Sequence, residues 1–397
     1  MHLPQELVNE IVEQIDHGTD LETLFKLLQA STTVFSPQIC LNLHRRPVHL
    51  RATSDYALLS SISALSADIL PSLHILEISA EPYKLLLEPQ EQCLPSLLDG
   101  CTGLQSLTIE LTNSEWSFAY PEKHREALYR AMQRHTLVSL RLAWMKFGNN
   151  DLKELGGLTL PPSLKSITLT SVELVDEDNP LAQPVHLDGG APGIEKLQTD
   201  AFSLPFARLM YRPPRPYPYG NLRNLFLNAY GETFESSDLG TSLLRANPHL
   251  VYLHLRGDEG SVPPYDLSMN TALRVLVIQF NPRVLFSIAN IVNMLRTFPR
   301  QNGLEYVQIL GIMNNAMIED EAEHWKAMDD ALASEERFPA LLRVYLFLSQ
   351  PGLRPSLAEG GALSSTSCVP RIESLMRKTR ERGVLDLQVK FMSHTSH

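Results

Sequence analysis

Cysteine is scarce. Only four occur in 397 residues, Cys40, Cys93, Cys101 and Cys368, and none form a Cys-x-x-Cys pair. That excludes a disulfide scaffold and a paired-thiolate metal site, and it points to a reducing compartment. Asn-x-Ser/Thr acceptors are missing altogether. No uninterrupted apolar stretch approaches the roughly 20 residues of a membrane span. The first residues lack the basic and apolar regions of a secretory signal. The expected location is cytoplasmic or nuclear, with no membrane partner. Positive charge is also short: 34 Lys and Arg stand against 45 Asp and Glu, a net charge of -11. Such a field repels a phosphate backbone, and no Lys/Arg run offsets it, so no nucleic acid partner is expected.

Catalytic signatures are lacking as well. There is no Gly-rich phosphate loop ending in Lys-Ser/Thr, no Gly-x-Ser-x-Gly elbow and no His-Glu-x-x-His. Asp320-Glu321-Ala322-Glu323-His324 has the outline of a helicase box, but without a phosphate loop it reads as a solvated helix face. The thirteen histidines are dispersed. No catalytic residue, cofactor or metal is therefore expected. An enzyme on a non-repeat α/β fold would need a pocket that the sequence does not announce.

What the chain does have is the composition of a folded protein, 44% hydrophobic and 20% charged, with room for two or three domains or one elongated repeat array. In the first fifty residues the spacing is helical. Leu7, Ile11 and Ile15 recur at i, i+4, i+8, with Val8 and Val12 beside them. Pro4 suits a first turn and Gly18 a stop. Thr19 or Asp20 can cap a second helix through Leu21, Leu24, Leu27 and Leu28. A third short segment holds Val34, Phe35 and Ile39 after a Ser/Thr bend. So small a core must lean on a partner or on the rest of the chain.

Leu3-Pro4-x-Glu6-Leu7-Val8-x-x-Ile11-Val12-x-x-Ile15, with Asp20-Leu21 and a downstream Phe35, resembles the F-box. The resemblance covers roughly residues 2 to 40 and implies a helical module, residues 1–45, that binds a Skp-type adaptor of a cullin ubiquitin ligase. Carried over by position, the adaptor contacts would be Leu3, Pro4, Leu7, Val8, Ile11 and Ile15. Some must also serve as the module's own core, and Pro4, Leu7 and Val8 are expected to be the more exposed set. The third segment departs from the family: Ser31-Thr32-Thr33-Val34-Phe35 contains no basic residue.

Beyond residue 70 a Leu-x-x-Leu-x-Leu triplet keeps returning. Its leading residues are Leu73, Leu104, Leu137, Leu164, Leu222, Leu250, Leu273, Leu304 and Leu341, with a weaker copy at Ile194. The spacing runs from 23 residues (Leu250 to Leu273) to 37 (Leu304 to Leu341). Each strand alone cannot bury its apolar side, but strands stacked in parallel share one core. Val48 and Leu50 open the series, and Val384, Leu387 and Val389 close it. Amphipathic stretches lie between, at Ser54 to Leu65, His124 to His135, Ser236 to Leu244, Val284 to Phe298 and Glu321 to Glu335. The expected fold class is α/β, with residues 46–397 an irregular leucine-rich-repeat solenoid carrying parallel strands on its concave face. Five residues after the second Leu, where a regular repeat carries Asn, only Asn281 does so. The combination is similar to the divergent F-box/leucine-rich-repeat proteins of the fungal type. A non-solenoid α/β domain is the alternative.

Loops are expected near 176–193, 211–220 and 350–367, the second a proline-dense connector. If the repeat leucines point inward, the residues between them face outward. The N-terminal half then presents Ser106, Thr108, Ser139, Arg141, Ser166 and Thr168. The C-terminal half presents Phe226, Tyr252, His254, Tyr306, Tyr345 and Phe347, an aromatic set suited to binding a target protein. The function this implies is substrate recognition in a Skp/cullin/F-box ubiquitin ligase. The rival is a non-ligase leucine-rich-repeat scaffold whose F-box has degenerated.

Overall fold

Each apolar triplet leads into a strand, and seven begin with a tight turn in which the leading leucine donates its N–H to the carbonyl three residues back: Leu73 to Leu70, Leu104 to Cys101, Leu137 to Arg134, Leu164 to Pro161, Leu250 to Asn247, Leu273 to Asn270 and Leu341 to Phe338. Leu222 and Leu304 donate instead to the side-chain oxygens of Asn247 and Asn302. The second and third apolar residues then point into the core from the strand. These contacts belong to a computed structural model. It describes residues 4–15, 20–51, 53–80, 93–148, 151, 154, 160–175, 193–200, 202–203, 206–207, 219–229, 234–257, 263–280, 288–312, 315–351 and 368–392.

The chain forms two compact units. One comprises Met1–Ile194 with Pro205–Pro218, the other Glu195–Leu204 with Tyr219–His397. In the first unit, β1 (Val48–Leu50), β2 (Ile75–Ala80), β3 (Ser106–Glu115), β4 (Ser139–Phe147) and β5 (Ser166–Leu174) pair in sequence order, all parallel. In the second, β6 (Lys196–Asp200), β7 (Asn224–Ala229), β8 (Tyr252–Gly257), β9 (Val275–Phe280), β10 (Tyr306–Ile312), β11 (Arg343–Pro351) and β12 (Leu385–Met392) do the same. A parallel neighbour needs a crossover, and helices lie in those after β1, β2, β3, β7, β9, β10 and β11. The expected α/β class with a parallel sheet is what the structure has.

Register keeps like with like. Leu107, Leu140 and Ile167 are neighbours across β3 to β5, and Leu225, Leu253 and Leu276 across β7 to β9. All are buried. Each such side chain contributes about 1.5–3 kcal/mol relative to exposure. The backbone also comes close at the turns. A Cβ on Gly103 would run into the Pro71 carbonyl, so that position admits no side chain without a backbone shift.

The N-terminal helices are α1 (Gln5–Gln14), α2 (Leu21–Ala30) and α3 (Thr32–Leu43), followed by α4 (Thr53–Leu65). α1 ends at Gln14, before the expected stop at Gly18, which lies outside the described residues. Asp20 caps α2 by accepting the Thr23 N–H at 3.1 Å. The expected Ser/Thr bend extends only to Ser31; Thr32 already starts α3. Further along come α5 (Cys93–Gly100), α6 (Trp116–Ala119), α7 (Glu122–Met132), α8 (Phe234–Ala246), α9 (Ile288–Thr297), α10 (Asn315–Asp320), α11 (Ala322–Ala333), α12 (Val369–Leu375) and α13 (Arg377–Glu381). Most of the loops expected at 176–193 and 211–220 lie outside the described residues, as does 352–367. Gln350 and Pro351 belong to β11, so strand pairing with β12 carries the chain past the expected loop start at 350.

Helix C-termini are closed by side chains from the next repeat. Arg134 donates to the carbonyls of Leu98 and Cys101 at the end of α5. Asn270 donates to Leu244 and Asn247 at the end of α8, and Arg382 to Leu332 and Phe338 beyond α11. Most of these carbonyls already accept a backbone N–H of the turn, as Cys101 does from Leu104 and Asn247 from Leu250, and the side chains add a second bond that ties each helix end to the next repeat.

Candidate functional site

Two surfaces were expected to bind partners, and the structure places their residues unevenly. In α1 the 3.6-residue period puts Val8, Val12 and Ile15 on one face. Val8 is 1% exposed and sits in the core with Val12, so the expectation that it belongs to the exposed set is corrected. The outer stripe is Pro4, Leu7 and Ile11, with Leu7 42% exposed and Ile11 half-buried. Ile15 is buried. Leu3 lies outside the described residues. Phe35 and Ile39 of α3 are core residues, whereas Leu41 is exposed. The Arg46 guanidinium donates to the carbonyls of Glu13 and Ile15, at 3.3 and 3.5 Å, where the helix dipole favours a cation.

On the first unit's outward sheet face, register aligns Ser106, Ser139 and Ser166 in one row and Thr108, Arg141 and Thr168 in the next. His49 and Glu77 extend the second row, with His49 Nδ1 2.7 Å from Glu77 Oε2. This face is polar and nearly featureless until the strands bulge. Trp144 and Ser171, opposite each other on β4 and β5, both have left-handed backbone, φ 56° and 50°. Trp144 is 45% exposed. A bulky residue in that region is a true outlier, costing about 1–3 kcal/mol. Sequence reasoning missed it, though a signal exists. Leu140 and Leu142 keep one parity, then Ala143, Met145 and Phe147 take the other, which requires one extra residue in the strand.

On the second unit, all six expected aromatic and histidine residues lie on the outward face, each partly exposed. Three converge. The Phe226 ring centroid is 5.0 Å from Tyr252 and 5.6 Å from His254, and Lys196 Nζ lies 5.3 Å from the Phe226 centroid. His254 hydrogen-bonds Gln279 at 3.2 Å. Burial, reinforced by nearby Arg256, pushes the His254 pKa down, favouring the neutral ring. Burial also raises the Tyr252 hydroxyl.

Tyr306, Tyr345 and Phe347 form a separate group on β10 and β11. Arg343 Nη1 donates to the Tyr345 hydroxyl at 3.2 Å, lies over its ring and pairs with Tyr306 in register. Between the two groups β9 contributes Val275 and Val277. At about 4.8 Å per strand, aromatic groups two to three strands apart flank an apolar strip roughly 10 Å wide. The described part of this face thus combines aromatic rings with the flanking cations Lys196 and Arg343.

Among the described residues, no three His, Cys, Asp or Glu side chains converge to hold a metal ion, and no helix is long and apolar enough to cross a membrane. The four cysteines are free, and burial pushes the Cys101 thiol up to about 12, which keeps it protonated. No protein-family model matches the chain, and no curated protein matches it.

Proposed function

We propose that the chain is a substrate-recognition adaptor of a Skp/cullin/F-box ubiquitin ligase. Its first 45 residues would be an F-box binding a Skp-type adaptor, and the following irregular leucine-rich-repeat solenoid would bind a target protein. The observation that carries this reading is the apolar stripe of Pro4, Leu7 and Ile11, left uncovered on a helix whose other face is core. Pro4 and Leu7 fall within the Leu-Pro-x-Glu-Leu pattern, and Ile11 follows it by one helical turn. The aromatic strip on β7 to β11 supports the second half of the reading. Tethering adaptor and target on one chain raises the local concentration of the target at the ligase, so rate enhancement needs no chemistry from this protein.

Co-expression of the full-length chain with a Skp-type adaptor tests it. Capture should occur and should drop by roughly tenfold or more with Leu7→Asp, which puts a charge into an apolar contact. A chain that folds but captures no adaptor supports the second reading, an interaction scaffold outside any ligase. The specific feature favouring that second reading is α3, whose opening residues Thr32, Thr33 and Val34 provide no cation for an adaptor.

A further inference from the structure

Three arginines crowd one cleft in the second unit of a chain whose net charge is -11. The cleft has a volume of about 420 Å³ and opens between the last turns of α9 and α11. Its walls carry Arg296, Arg300 and Arg337, and Ala327 and Ala331 leave the floor low.

Arg337 is unlike the other two arginines that close helix ends. Arg134 and Arg382 each place two guanidinium nitrogens on carbonyls. Arg337 gives only Nη2 to the Arg296 carbonyl, and its Nε–H is buried with no partner. A buried unpaired donor of this kind costs about 1–3 kcal/mol unless something fills it. The Arg337 backbone is fixed on both sides. Its backbone N–H donates to Ser334 Oγ at 3.2 Å, and its carbonyl accepts from Asn302 Nδ2 at 2.8 Å.

Charges of the opposite sign are already engaged. Asp330 is bound by Lys378 at 2.6 Å, and Glu336 by Arg300 at 3.4 Å in an exposed pair. The C-termini of α9 and α11 bring about half a negative charge each, less than the two guanidiniums that remain. Arg296 has no side-chain hydrogen bond or ion pair among the described residues.

We infer that this cleft binds a phosphomonoester group, with the guanidiniums of Arg296 and Arg337 sharing its oxygens and Arg300 at the rim. Two guanidiniums match a dianion with three free oxygens better than they match a single carboxylate. The volume accommodates the phosphate and part of the organic group bearing it. This site uses none of the outward sheet residues or α1 residues named above, so it stands whether or not the ligase reading does.

The test is calorimetric titration of the full-length chain with inorganic phosphate, against sodium chloride at matched ionic strength. Parallel arms use a phosphoserine peptide and glycerol phosphate. Saturable millimolar binding of phosphate is expected, tighter for whichever ester is the natural source. Arg296→Gln should weaken it about tenfold or more, and Ala327→Leu should do so by filling the floor. Arg296 is exposed, so its variant should melt like the parent without phosphate. No saturable binding, or binding equally tight in the Arg296→Gln chain, overturns the inference.

Discussion

Replacing Asn270 with alanine should destabilise the second unit by about 1 kcal/mol. The side chain is fully buried. Its amide spends both hydrogens on the C-terminal end of α8, on the carbonyls of Leu244 at 2.9 Å and Asn247 at 2.8 Å. Two net hydrogen bonds contribute about 0.5–1.5 kcal/mol each; both carbonyls keep a backbone donor, the N–H of Asn247 and of Leu250, so no unpaired acceptor adds to the cost. Against that, Asn270 Oδ1 is itself buried without a partner, and its removal returns about 1 kcal/mol. Urea unfolding of the full-length chain, followed by circular dichroism and by hydrogen exchange at β8 and β9, measures the sum. The exposed Asn221 serves as control. If Asn270→Ala lost no more than Asn221→Ala, side-chain closure of the helix ends would not be what secures one repeat to the next.

Gly103→Ala should cost more than about 1 kcal/mol, because its Cβ meets the Pro71 carbonyl, and thermal melts would show it. At position 144, where φ is 56°, Trp144→Gly should be more stable than Trp144→Ala by about 1 kcal/mol; equal melting points would remove the claim of backbone strain. The folded state depresses the His254 pKa below the unfolded value of about 6.5. Above that value both states hold the ring neutral. As pH falls below it, the unfolded chain gains the proton first, and stability is lost through the window down to the folded pKa. His254→Gln should therefore flatten part of the acid-side decline. His74, lowered by burial and by His44, keeps its own contribution in both proteins.

The repeating triplets made the strands legible because a strand's period of two and a turn's fixed three-residue reach both leave marks in sequence. Leu250, Leu253 and Leu255 gave away turn and strand together. The same alternation identified Tyr252 and His254 as outward residues. It could not say that Phe226 would stack on them while Tyr306, Tyr345 and Phe347 formed a second group, since that depends on register between strands far apart in sequence. The asparagines were sought in the wrong place. Asn247 and Asn270 do act within the repeats, but three residues before the leading leucine, where they reach the preceding helix or turn. Val8 was misjudged because two adjacent apolar residues on a helix point about 100° apart, and only packing against α3 decides which one is inside. The arginine cleft left no trace, as Arg296, Arg300 and Arg337 meet only through the turn held by Asn302.

The most direct measurement is the stoichiometry of the purified full-length chain mixed with a purified Skp-type adaptor, read by light scattering on a sizing column. A one-to-one complex at micromolar concentration, lost when Leu7 is replaced by Asp, is the expected result. Separate elution of the two proteins at that concentration, with the chain folded by circular dichroism, would contradict the adaptor function.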